Sequence, residues 1–188
     1  EECERFQMLH ALDGLVSAGR IKVYSVDSVS GRAWTNDLYS GGHRAFIQNQ
    51  FDRYVYQQVV PAILRDCNSD GDLPMVAAGA SIGAFNALGS ICRHPDVFHH
   101  AICMSGTYDL SRWMKGEHTE DFHMCSPVHF IPHLSEGRQL DLLRRRHILL
   151  PTGEGRWEDP GESWRVAHVL GCAGVPNRVD LWGANHDH

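Results

Sequence analysis

The sequence is short of three things, and each shortage removes a class of function. No apolar run approaches the roughly 20 residues of a membrane-spanning helix. Basic charge is not in excess: 17 Lys and Arg stand against 23 Asp and Glu, a formal net charge of −6. That balance excludes the basic footprint of a nucleic-acid or anionic-membrane surface. The six cysteines include no C-x-x-C pair, so neither a zinc knuckle nor a dense disulfide scaffold is expected, and they read as reduced, partly buried small hydrophobes. The opening Glu1-Glu2-Cys3-Glu4-Arg5 has no secretory pattern, which makes the cytoplasm the expected location. With no repeat, low-complexity tract or linker, the 188 residues are expected to form a single domain.

Histidine is plentiful, with 13 copies, and raises the question of a metal. His129 and His133 have i, i+4 spacing, but Pro132 lies between them and no His-Glu-x-x-His motif occurs. Asp66-Cys67-Asn68-Ser69-Asp70-Gly71-Asp72 imitates the start of a calcium loop, yet Ala77 stands where that loop needs a bidentate Glu. Turn-forming Asn, Asp and Gly explain the same residues. No metal and no cofactor are expected.

Hydrophobic periodicity divides the chain into alternating elements. Residues 4–18 place Phe6, Met8, Leu9, Leu12 and Leu15 at helical spacing, and Gly19 closes the segment. Ile21-Lys22-Val23-Tyr24-Ser25-Val26 reads as a strand, 27–42 as a loop, and 43–65 as an amphipathic helix that Pro61 kinks or restarts. Strands are expected at 74–78, 98–104, 147–150 and 177–182, with helices at 83–92 and 162–170. The stretch 107–145 reads as irregular, with short helical pieces. Apolar strands alternating with helices predict an α/β fold, a mostly parallel sheet with helices on both faces. Catalytic groups on such a sheet belong at the C-terminal ends of strands.

One motif falls there. Gly79-Ala80-Ser81-Ile82-Gly83 follows a predicted strand and precedes a predicted helix, the context of a nucleophile elbow. Small flanking residues let strand and helix approach while the serine adopts a strained backbone. The helix N-terminus stabilises developing negative charge, and the Ile82 N–H is the natural first oxyanion-hole donor. The bland alternative is a glycine-rich turn with a capping serine. A serine nucleophile needs a histidine base and an acid, in the chain order Ser, acid, His. After strand 147–150, Glu154, Glu158 and Asp159 compete for the acid, and after the last strand His186 and His188 compete for the base.

From about Ile21 to its last residue the sequence resembles the esterase family of α/β hydrolases that includes esterase D and the antigen 85 mycolyltransferases. The resemblance is carried in order by Val23-Tyr24-Ser25-Val26-Asp27, the Arg53-Tyr54 helix ending Val59-Val60-Pro61, and Gly79-Ala80-Ser81-Ile82-Gly83-Ala84. It continues with Pro95-Asp96-Val97-Phe98, Met104-Ser105-Gly106-Thr107-Tyr108-Asp109 and Asp180-Leu181-Trp182-Gly183. The resemblance implies an α/β-hydrolase fold and a triad of Ser81, Glu158 and His188, with Glu158 favoured over Asp159 and Glu154, and His188 over His186. It also implies that a strand with a second oxyanion donor precedes the matched region and that residues follow the histidine. By that comparison the chain is truncated at both ends. The activity implied is hydrolysis of a small-molecule carboxylic ester through an acyl-serine. The alternatives are an acyltransferase of the antigen 85 type or a catalytically impaired binding domain. Segment 107–145 lies where such folds insert a lid. Its Trp113, Met114, Phe122, Met124 and Phe130 are equally candidates for an acyl-pocket lining and for the lid's own core.

Overall fold

The computed structural model describes residues 7–71 and 73–183. The first helices are α1 (Met8–Ser17), α2 (Val29–Trp34), α3 (Gly41–Tyr54) and α4 (Val60–Asp66). Strand β1 (Met75–Ala80) and helix α5 (Ile82–Arg93) follow, then β2 (Phe98–Met104). Short helices α6 (Glu120–Cys125), α7 (Pro127–Phe130) and α8 (Arg138–Leu143) lead to β3 (His147–Gly153), α9 (Pro160–Cys172) and β4 (Asn177–Trp182).

The four strands pair in the order β1-β2-β3-β4, every pair parallel. Parallel neighbours cannot be joined by a hairpin, so each connection crosses back through helical structure. Alternation along a strand sends successive side chains to opposite faces. On one face Met75, Ala101, Cys103, Ile148 and Leu150 meet Leu88 and Ile91 of α5, Leu143 of α8 and Leu170 of α9, all buried. The other face of β1 carries Val76, Ala78 and Ala80, which are exposed among the described residues. A second apolar cluster joins Trp34, Ala45, Phe85, Leu110, Met114, Phe122 and Cys125.

Helix α3 buries a polar face: Arg44, Gln48, Asn49 and Asp52. Buried polar groups require partners, and each of these side chains has at least one, although the Arg44 Nε has none. The Arg44 guanidinium donates to the carbonyls of Trp113 (2.8 Å) and Asn36 (2.6 Å). Asp52 pairs with Arg93 at 3.2 Å and His94 at 2.9 Å. A relay runs from the Trp34 indole N–H to Gln48 (3.0 Å), from the Gln48 amide to Asn86 (2.8 Å) and from the Asn86 amide to the Ser28 hydroxyl (2.9 Å). It fixes α2 and α3 against α5, the helix that begins beside Ser81.

Two expectations are corrected and a third, the kink or restart at Pro61, is located. Residues 21–26 form no strand: a strand needs a ladder partner, and this segment instead sends Lys22 and Tyr24 to the Asp66 carboxylate at the end of α4. The expected loop 27–42 contains α2, whose Trp34 is a core residue. The helix expected over 43–65 is divided, with a π-turn at Val55–Val59 between α3 and α4. Pro61 has no N–H for the carbonyl four residues earlier and its ring crowds that turn, so the spacing widens just before it. Phe51 of this stretch is buried, whereas Phe46 and Tyr54 are exposed.

Candidate active site

β1 ends at Ala80 and α5 starts at Ile82, which leaves Ser81 alone in the turn. Its backbone sits at φ 54°, ψ −118°, a region that L-residues occupy only when neighbouring structure imposes it. The cause is local. A β-carbon on Gly79 would overlap the carbonyl and α-carbon of Gly83, so strand and helix approach more closely than any other residue at 79 permits. At Gly83 a β-carbon would meet no neighbour. The first glycine of the motif thus answers to packing of its own missing side chain, and the last supplies the backbone packed against it.

Hydrogen bonds brace the turn from β2. The Ser81 N–H donates to the Met104 carbonyl at 3.0 Å, and the Ser81 carbonyl accepts from Ala84 (3.1 Å) and Thr107 (3.4 Å). The pattern continues along the sheet edge. Ser105, also left-handed at φ 44°, donates its N–H to Pro151 at 2.8 Å, and the Glu154 N–H donates to Trp182 at 3.0 Å. The strand ends that carry Ser81, the 105–109 loop and the acid-bearing turn therefore form one continuous rim. The family resemblance singles out Met104-Ser105-Gly106-Thr107-Tyr108-Asp109, but nothing in the sequence shows that this loop braces Ser81. Gly106 packs under the buried Tyr108 ring, where a β-carbon would collide with the phenol.

Ile82 is the first residue of α5, and the first N–H groups of a helix have no acceptor within it. The three acids after β3 have different environments. Glu154 is exposed. Asp159 is exposed and caps α9, accepting the Gly161 N–H at 3.0 Å. Glu158 is half-buried, and its carboxylate accepts the hydroxyl of buried Thr152 at 3.3 Å. His186 and His188 lie outside the described residues.

In segment 107–145, Met114, Phe122 and Phe130 are buried in the two apolar clusters, Trp113 packs against the second, and Met124 is exposed. Met114 and Phe122 also border a cavity of about 260 Å³ shared with Ser111, His118, His123 and His129. His129 binds the Ser126 hydroxyl through Nδ1 at 2.7 Å. Burial holds its pKa below the ordinary histidine value against the opposing attraction of Asp109. Among the described residues no group of three or more His, Cys, Asp or Glu could hold a metal ion. The described cysteines, Cys67, Cys92, Cys103, Cys125 and Cys172, are free, and burial pushes the Cys125 thiol up to about 12. No described helix is long and apolar enough to cross a membrane.

Solved structures share this architecture. A ferulic acid esterase superposes with a TM-score of 0.55 at 20% identity, covering 73% of this chain and 54% of its own. Dipeptidyl peptidase 4 of Porphyromonas gingivalis gives 0.51 at 18% identity, covering 73% of this chain and 19% of its own. The chain thus spans about half the length of the ferulic acid esterase. Together with the parallel sheet and the strained serine, these likenesses define an α/β-hydrolase fold. The family model described as "Putative esterase" matches residues 5–167, and the chain belongs to that family. A search of curated protein sequences gives no match.

Proposed function

We propose that this chain carries the catalytic machinery of a serine esterase, with Ser81 as nucleophile, His188 as base and Glu158 as the acid that orients it. Ser81 Oγ attacks the ester carbonyl while His188 takes its proton, then returns it to the departing alkoxide. The Ile82 N–H, at the start of α5, donates to the oxyanion. Water, deprotonated by the same histidine, releases the acid and restores Ser81. The observation that carries the proposal is the backbone of Ser81, held at φ 54° between β1 and α5. A serine that merely capped a helix would rest in the extended region and bond the N–H two or three residues on. Ser81 makes no such cap bond. Membership of the esterase family supports a carboxylic ester as substrate.

For the acid, the environment of Glu158 supports the assignment: it is the half-buried carboxylate of the three and touches the end of β3. Steady-state hydrolysis of short p-nitrophenyl esters by the full chain tests the roles. Ser81→Ala is expected to fall to background. Glu158→Gln should lower kcat on the order of 10³-fold or more, as loss of a triad acid does. Glu154→Gln and Asp159→Asn should stay within about threefold of the parent, because Asn still caps a helix. A large loss at Glu154 or Asp159 with Glu158→Gln unimpaired would move the acid elsewhere.

A further inference from the structure

We propose that Glu162 is a positioning residue that holds Ser81 in its reactive backbone conformation, a role resting on the assignment of Ser81 as nucleophile. Glu162 is the third residue of α9, after the cap Asp159. An acid at that place ordinarily folds back onto the N-cap N–H of its own helix. Here it reaches across to the loop after β2. One carboxylate oxygen accepts two consecutive backbone N–H groups, those of Tyr108 (2.7 Å) and Asp109 (2.8 Å). The other takes the Arg165 guanidinium at 3.1 Å, and the same nitrogen of Arg165 reaches the Asp109 carboxylate at 2.9 Å. The Glu162 side chain is only 14% exposed, so these charge-assisted bonds are weakly screened.

What the carboxylate grips is the far end of the loop that braces Ser81. Residue 107 donates to the Ser81 carbonyl, and the Met104 carbonyl at the loop's start receives the Ser81 N–H. Between them Ser105 is left-handed and Tyr108 is inserted into the core, its hydroxyl donating to Cys103 at 3.2 Å. A serine in a sparsely populated conformation stays there only while its surroundings over-determine it. Releasing the Tyr108 and Asp109 N–H groups would let the loop, and with it the Thr107 bond, relax. Glu162 also stands four residues after Glu158 in the chain. One side chain therefore ties the turn bearing the proposed acid to the loop bracing the proposed nucleophile.

The test compares Glu162→Ala, Glu162→Gln and Glu162→Asp in the full chain with Leu170→Ala, a core variant two turns further along α9 that makes none of these hydrogen bonds. Three quantities are read: the second-order rate of inactivation by a fluorophosphonate, kcat and KM for a p-nitrophenyl ester, and the thermal midpoint. Glu162→Ala should slow inactivation and kcat by about 10–100-fold, the scale of a small misplacement of a reacting group, with KM within about threefold. Glu162→Gln keeps an acceptor oxygen for both N–H groups and should recover to within about fivefold of the parent. Glu162→Asp keeps the charge but is one methylene short, and should behave like the alanine variant. Leu170→Ala should lower the midpoint and leave the rate per folded molecule unchanged. Folded Glu162→Ala reacting at the parental rate overturns the proposal, as does Glu162→Gln losing as much as alanine. Where alanine does not fold, Glu162→Asp at the parental rate overturns it equally. Failure of the parent chain to take up the probe contradicts the nucleophile assignment instead, so the two failures are distinguishable.

Discussion

At the scale of single residues, the site is defined by backbone conformation as much as by functional groups. Ser81 at φ 54° stores strain of about 1–3 kcal/mol. Glycine relieves that strain but loses about 0.5–1 kcal/mol through its freer unfolded chain. Strain wins in this comparison, so Ser81→Gly should raise stability by about 1 kcal/mol while abolishing hydrolysis, with urea unfolding and ester turnover as the two measurements. Gly79→Ala should act in the opposite direction. Its new methyl would meet the Gly83 backbone, which cannot swing aside, and a loss of about 2 kcal/mol or more is expected in the same unfolding assay. His129 gives a pH prediction. Burial first, opposed by Asp109, holds its folded-state pKa below the ordinary 6.5. The unfolded chain therefore binds more protons just below that value, and the His129 contribution, complete at higher pH, is lost as pH falls through about 6.5. The thermal midpoint should drop between pH 7 and pH 5.5, and His129→Gln should remove part of that slope. An unchanged slope would contradict the account of His129.

Among the elements, those with strong periodicity were legible and those held by polar partners were not. The runs at 98–104 and 177–182 became β2 and β4 with those bounds, and the helix after Gly79-Ala80-Ser81-Ile82-Gly83 became α5. Trp34 was hidden in a polar stretch because its burial depends on Gln48, a residue that hydrophobic patterning assigns to solvent. The same blindness applies to Arg44 and Asn49, whose partners are distant backbone and side-chain atoms. Glu162 opens the helix expected at 162–170, and nothing in its neighbours reveals that it bonds Tyr108 and Asp109 more than 50 positions away. The relay through Gln48 is expected to matter: Gln48→Leu strands the Trp34 N–H in the core and should cost about 1–3 kcal/mol in denaturant unfolding. A cost near zero would mean that the relay contributes nothing to holding α2 and α3 against α5.

For the whole molecule, the order of strands explains why the candidate site residues gather where they do. Parallel pairing brings the C-terminal ends of β1, β2 and β3 to one edge, so residues distant in sequence arrive together without a dedicated scaffold. That much was readable from the alternation of short apolar runs and helices. The sheet itself buries one face against α5, α8 and α9, and Leu170→Ala in that layer should cost about 2–5 kcal/mol as a cavity-forming change. Two members of the proposed triad, Ser81 and Glu158, fall within the described residues, whereas His188 lies outside them; its assignment stands on chain order and family resemblance. Nucleophile identity is accordingly the central claim. Its most direct test is to label the full chain with a fluorophosphonate and map the adduct by peptide mass spectrometry. The account predicts one phosphonylated serine, Ser81, and no adduct in Ser81→Ala. An adduct on Ser105, the other left-handed serine of the rim, or labelling that survives Ser81→Ala, would contradict it.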